Sequence, residues 1–307
     1  MDRLDRLEKE LAALEAVVSR LRSEVAVLRE AQSLQRHPVE ACLWQRGFPV
    51  LVHGEGSQVA LPPHISPDRK RSFYELMRRY SFRLFLRDLI QFPEGKNIEA
   101  LSRYCSLKTV RSYLRSLSEI DIVRTSPDGS YRLISKHISS FGPTLEWYVN
   151  EIFQREFMAP SIFNVRLDHT HYGGDYDVIA LFFGRLAYVE VKSSPPRGVE
   201  IPAVSAFLSR LRDLRPHVAI FLVDTELRMR DKIVPLFAEA FSRLSEDSEK
   251  WPVARLVDEI FHVCHGIYLI NSRKGIYSNL RVCFRDFLHH ENEARLPLDV
   301  SGVKGEE

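Results

Sequence analysis

The chain has 307 residues, 27% charged and 45% hydrophobic, enough for two domains with ordinary cores. Its net charge of +2 hides an asymmetry: between Ser66 and Lys136 stand 15 Lys/Arg against 8 Asp/Glu, a local +7 where a polyanion would bind. Cys42, Cys105, Cys264 and Cys283 are widely spaced with no CxxC pair, and no apolar run approaches bilayer length, which argues against disulfide, zinc-finger and membrane-spanning classes. The start MDRLDRLEKEL is charged from its second residue, unlike a secretory signal, so a soluble cytoplasmic protein is expected.

Residues 1–34 carry Leu4, Leu7, Leu11, Leu14, Val18, Leu21, Val25 and Leu28 at alternating spacings of three and four, with no Gly or Pro. A stripe repeating every 3.5 residues predicts a coiled-coil helix and a homodimer. The alternative, a helix packed on its own domain, usually shows a wider stripe. Residues 35–71 contain Pro38, Pro49, Pro62, Pro63 and Pro67 and read as a linker with a possible small hairpin about Gly54 to Gly56.

Residues 72–138 hold the basic excess. A helical pattern in SFYELMRRYSFRLFLRDLIQF is broken at PEG; NIEALSRYC is a short helix capped by Asn97, and a longer helix starts at its cap Ser106. Two β-prone segments flank the turn Pro127-Asp128-Gly129. This order resembles a winged helix-turn-helix. Lys108, Arg111 and Arg115 would then face a DNA groove, with Arg124 and Arg132 on the wing. The alternative is a packing module whose basic face is merely solvated.

Residues 139–290 begin with a helix opening at Gly142-Pro143. Then come the strands IFNVRL, DYDVIALFF and RLAYVEVKSS, the helix IPAVSAFLSRLRDLR, the strand HVAIFLVDT and the helix DKIVPLFAEAFSRL, an order that predicts a mixed sheet flanked by helices. The second and third strands flank Gly184 and should form a hairpin. A turn at Phe183-Gly184 sets Asp177 opposite Glu190; a turn at Gly184-Arg185 sets it opposite Lys192. Both registers put the three charges on one face and send Val189 and Val191 to the other. Carboxylates in cross-strand contact repel, and a hard divalent cation, Mg²⁺ or Mn²⁺, relieves that repulsion. A wet hairpin face with Lys192 merely paired to Glu190 is the simpler alternative, though Ile179, Leu181 and Tyr188 share that face.

Asp177 followed by Glu190-Val191-Lys192 resembles the core of the PD-(D/E)xK nuclease superfamily, over roughly residues 141–244. The resemblance implies an α/β restriction-endonuclease-like domain in which Asp177 and Glu190 hold the metal with the Val191 carbonyl. It further implies that Lys192 acts on the attacking water and that Glu146, on the preceding helix, assists. Winged helix plus such a domain also resembles the C-terminal half of certain prokaryotic AAA+ ATPases, but no GxxxxGK[ST] loop is present. Many DNA-cutting relatives carry Gln or Lys on the helix after the motif, where this chain offers Ser205, Ser209 and Arg210.

Weaker candidates are His169, His171 and Asp175 beside Asp177. His262, His265, His289 and His290 show no ligand spacing with a carboxylate, and residues 291–307 read as a disordered tail. The expectation is therefore an α+β multidomain protein: an N-terminal coiled-coil helix, a winged helix-turn-helix, and a nuclease-like mixed sheet. Its expected activity is Mg²⁺-dependent DNA hydrolysis, for defence against foreign DNA or for repair, alone or with a separate protein partner. The alternative is a non-catalytic DNA-binding regulator or assembly factor that uses the nuclease fold as a scaffold.

Overall fold

The computed structural model describes residues 11, 14–25, 37–54, 58–135, 138–244, 251–294 and 296. Near the N-terminus α1 spans residues 14–25, and its seam side chains Leu14, Val18, Leu21 and Val25 are all exposed on the single chain, as is Leu11. Leu4, Leu7 and Leu28 of the predicted heptads lie outside the described residues. Among the described residues no helix is long and apolar enough to cross a membrane.

The stretch read as a linker has structure that belongs to the main sheet. It supplies α2 (Pro38–Gln45) and β1 (Val50–Val52), which pairs antiparallel with a strand more than a hundred residues later. Val39, Leu43, Val59 and Ala60 are buried, and the Ala60 N–H donates to Thr144 Oγ1 at 2.9 Å. Prolines interrupt this stretch without exposing it, because burial against the rest of the chain outweighs local breakers. The expected hairpin about Gly54 to Gly56 falls partly outside the described residues.

In the basic region, the helical pattern expected from Ser72 starts earlier and divides in two. Ser66 caps α3 (Pro67–Met77), and α4 (Tyr80–Gln91) follows after an extended residue, Arg79. The Arg78-Arg79 break lets both helices bury aromatic faces, with Phe73 and Phe82 in edge contact at 6.0 Å. After β2 (Glu94–Gly95) comes a single 3-10 turn (Ile98–Leu101), whose cap Asn97 accepts the Glu99 N–H at 2.9 Å. Ser106 caps α5 (Leu107–Glu119), which buries Val110, Tyr113, Leu114 and Leu117. A turn held by Asp128 Oδ1 joins β3 (Val123–Thr125) to β4 (Tyr131–Leu133). The three short strands form an antiparallel sheet in the order β2-β4-β3.

The remainder forms a large mixed sheet. Its elements are α6 (Gly142–Glu156), β5 (Ser161–Leu167), β6 (Asp175–Phe182), β7 (Arg185–Lys192), α7 (Ile201–Leu214), β8 (Val218–Val223) and α8 (Ile233–Leu244). They are followed by β9 (Val253–Val257), β10 (Ile260–Val263), β11 (Ile267–Ile270) and α9 (Ile276–His289). The eight strands run in the order β1-β5-β6-β7-β8-β11-β10-β9, parallel between β7, β8 and β11 and antiparallel elsewhere. Every residue of β8 is buried, as its uninterrupted apolar sequence VAIFLV requires of a strand covered on both faces. Two apolar clusters lie on opposite faces: α6, α9 and the α3–α5 unit cover one, and α2, α7 and α8 cover the other.

Arg83 fastens α4 to the sheet. Its guanidinium, 1% exposed, donates from Nε and Nη2 to Asp224 at 3.0 and 2.8 Å, and from Nη1 to the Met77 carbonyl at 2.7 Å. Ser272 donates to the same carboxylate. The Asp224 backbone N–H donates to the Lys192 carbonyl at 2.8 Å, so this buried pair sits against the end of β7.

Candidate active site

The β6–β7 hairpin decides between the two registers. Phe182 pairs with Arg185 and Val178 with Val189, so the turn is Phe183-Gly184 and Asp177 falls opposite Glu190. Both turn residues have positive φ, 48° and 72°, which suits the right-handed twist of a two-residue hairpin and favours glycine at the second position. Val189 and Val191 point into the cluster with α6, while Tyr188 and Glu190 face α7. The Glu190 face is thus covered by a helix, not wet.

At this end the sheet departs from regular pairing. The last ladder pair is Val178–Val189, and the next outward N–H of β7, that of Val191, donates to Asp177 Oδ2 at 2.6 Å instead of to a strand carbonyl. On the other side Asn164, with φ 49°, interrupts the β5–β6 ladder opposite Asp177. A carboxylate therefore substitutes for backbone where the strands part.

Glu190 is 1% exposed and held by three side chains. Lys192 Nζ donates to Oε1 at 2.6 Å, Arg210 Nη1 donates to Oε1 and Oε2 at 3.2 and 3.0 Å, and the Tyr188 hydroxyl donates to Oε2. Desolvation, followed by the Glu190 and Glu146 charges, pushes the Asp177 carboxyl well above the usual range, against the Val191 N–H and Lys192. Glu146, half-buried on α6, is raised to about 7 by desolvation first, then by Glu190 and Asp175, with Lys192 opposing. Carboxylates from β6, β7 and α6 thus repel one another in a poorly solvated place.

The donor set suits a hard divalent cation: all-oxygen carboxylates whose mutual repulsion a cation would cancel. Lys192 and Arg210 already draw Glu190 to themselves, so Asp177, Glu190 and Glu146 are not gathered as a ready ligand set; among the described residues the group with ligand atoms all within 4.8 Å is a different one. A cation would have to take Glu190 from its present partners.

Arg210, which carries no motif in the sequence, contacts Glu190 directly through Nη1. Among the described residues its buried Nε has no acceptor, and the buried Tyr176 hydroxyl has no partner. A Cβ added at Gly174, where φ is 90°, would stand 2.9 Å from Arg210 Nη2, so the loop before β6 needs glycine to close over the guanidinium. The available signal was an arginine next to the apolar stripe Val204, Phe207, Leu208 and Leu211. Other candidates do not converge. Asp175 is exposed and paired with Arg166 at 3.1 Å, and His169 and His171 are exposed in the preceding loop.

Lys108, Arg111 and Arg115 are exposed on α5, and Arg124 and Arg132 are exposed cross-strand neighbours on β3 and β4. Arg132 is partly neutralised by Glu94, at 3.0 Å. Arg87, on α4, donates to the Ser193 carbonyl just past Lys192 at 3.4 Å, which brings this basic unit beside the carboxylates.

No family model matches the chain. No curated protein matches it either. Among solved structures it is similar to protein VC1899 from Vibrio cholerae, at 16% identity and a TM-score of 0.43 over 75% of this chain and 58% of that one. It is also similar to Can2 from Sulfobacillus thermosulfidooxidans, solved in complex with cyclic tetra-adenylate, at 13% identity and a TM-score of 0.44 over 79% of this chain and 60% of that one. The matched part is less than two thirds of the length of either protein.

Proposed function

We propose that the chain is a metal-dependent DNA endonuclease of the PD-(D/E)xK type. In this reading residues 72–138 act as a winged helix-turn-helix that holds duplex DNA, and α1 pairs two copies so that two sites address two strands. The observation that carries it is that Asp177, Glu190, Lys192 and Glu146, from three elements, interact electrostatically where the β6–β7 ladder ends and Asp177 takes the Val191 N–H.

Asp177 and Glu190, with the Val191 carbonyl, would hold Mg²⁺ or Mn²⁺, which supplies neutralisation of the phosphate and activation of the attacking water. Lys192 would orient that water and balance the negative charge that builds on the phosphoryl oxygens. Glu146, titrating near neutrality, accepts a proton at Oε. Arg210, on the helix where DNA-cutting relatives carry Gln or Lys, holds Glu190 in place through Nη1. A second reading, a non-catalytic DNA-binding scaffold, is favoured by one observation: Glu190 is already satisfied by Lys192, Arg210 and Tyr188.

Supercoiled plasmid and linear duplex incubated with Mg²⁺, Mn²⁺ or EDTA separate the two. The nuclease reading expects metal-dependent cutting that Lys192→Ala abolishes. DNA binding with no cutting in any metal would leave the scaffold reading standing.

A further inference from the structure

A second group of titratable side chains lies at the other end of the sheet. β11 runs parallel to β8 and β7, so its first residues lie opposite the Lys192 end. The turn into it, Val263 to Gly266, places Cys264 and His265 at φ 45° and 52°, a left-handed pair without glycine. Residues other than glycine are disfavoured at such positions, so the turn is held by its surroundings. The consequence is geometric: His265 meets the last turn of α9.

There three imidazoles surround one carboxylate. His265 Nδ1 lies 2.7 Å from Asp286 Oδ2, and the Tyr268 hydroxyl donates to that same oxygen at 2.7 Å. The His290 ring stacks on His265 with centroids 3.9 Å apart, its Nδ1 3.4 Å from Asp286 Oδ1. His262 lies 4.1 Å from His265 between centroids, and its Nδ1 accepts the His265 backbone N–H at 3.2 Å. His262, His265 and Asp286 each offer a ligand atom, all within 4.8 Å of one another. Spacing along the chain hid this grouping, because Asp286 stands 21 residues beyond His265 and only the packing of α9 against β11 unites them.

We propose that His262, His265 and Asp286 form a cation site for a divalent metal of the zinc class, beside His290, whose Nδ1 is held by the Asp286 backbone carbonyl at 3.0 Å. Two imidazoles and one carboxylate suit zinc and its neighbours, whereas Mg²⁺ prefers oxygen alone. A bound cation would replace hydrogen bonds the cluster now makes within itself, above all the His265 Nδ1–Asp286 contact, whose proton passes to the ring's Nε2 if Nδ1 becomes the ligand atom. Tyr268 stays on Asp286 and orients it from behind. Bound there, the metal ties the β10–β11 turn to the C-terminal turn of α9, independently of the carboxylates around Asp177.

The test uses the full chain, stripped with chelator and titrated with Zn²⁺ by calorimetry; Co²⁺ binding is followed by its visible absorption. One Zn²⁺ per chain is expected, undisplaced by excess Mg²⁺ and unaffected by Asp177→Asn. Tyr268→Phe should weaken it about 10- to 100-fold. His262→Gln and His265→Asn should weaken it further, Asn being chosen because it tolerates the left-handed turn. Melting without metal identifies any variant that fails to fold, and Tyr268→Phe, which removes no ligand, then carries the comparison. Absence of zinc binding in the unsubstituted chain, displacement by Mg²⁺, or unchanged affinity in the folded variants would overturn the site.

Discussion

Replacing Arg83 by Met tests what holds the basic helical unit to the sheet. The substitution removes three donors from Asp224 and Met77 O while filling most of the volume, and leaves a carboxylate, 3% exposed, with Ser272 as its remaining side-chain donor. Removing one member of a buried pair typically costs about 3–5 kcal/mol, because the other charge stays desolvated. The Met77 carbonyl adds about 1 kcal/mol for its lost donor. Arg83→Met should therefore lose roughly 4–6 kcal/mol, whereas Arg83→Met with Asp224→Leu, which buries no charge, should recover all but about 1–2 kcal/mol. Urea titration followed by Trp147 fluorescence reads this directly, since Trp147 is buried on α6 with its ring 5.4 Å from Phe73 of α3. A loss under about 1 kcal/mol for Arg83→Met, or a double variant as unstable as the single, would refute the reasoning.

Three further outcomes are expected. Glu146 titrates at about 7 in the folded chain against an ordinary 4.5, so the folded state favours its protonated form; that contribution is complete below the ordinary value and is lost as pH rises through about 7. Glu146→Gln should thus stabilise the chain at pH 8 by on the order of 1–2 kcal/mol and leave it unchanged at pH 4, as read by thermal melts; equal effects at both pH values would contradict the assignment. Lys108→Ala, Arg111→Ala and Arg115→Ala should each weaken duplex binding uniformly across sequences and reduce the slope of log K against log salt by about 1, measured by fluorescence anisotropy. Leu21→Lys in the exposed seam of α1 should convert a dimer to a monomer in sedimentation equilibrium, and an unchanged mass would argue against the coil.

What was legible in the sequence was local or periodic. The hairpin could be reduced to two registers because Gly184 limits where the chain turns, and both kept Asp177, Glu190 and Lys192 together. Caps at Asn97 and Ser106 were readable because a cap and its target N–H lie two or three residues apart. Pairings across long stretches were not. Arg83 and Asp224 are 141 residues apart, β1 joins a strand more than a hundred residues away, and nothing in either local sequence names its partner. Residues 251–289 gave no assigned strands because β10 and β11 are four residues each, too short for alternation to separate them from loop. Arg210 was visible as a residue but not as a neighbour of Glu190, since that contact depends on how α7 crosses back over the sheet.

The Arg83–Asp224 fastening has a metric consequence. Asp224 is bonded through its side chain to the helix before the basic face and through its backbone to Lys192, so two reference points share one anchor. If α5 grips a duplex, the phosphate brought to Lys192 is set by that anchor and not by the reach of a tether. Product ends would then fall at one fixed offset from the bound sequence, and the same offset would persist as salt weakens the grip: fewer cuts, in the same place.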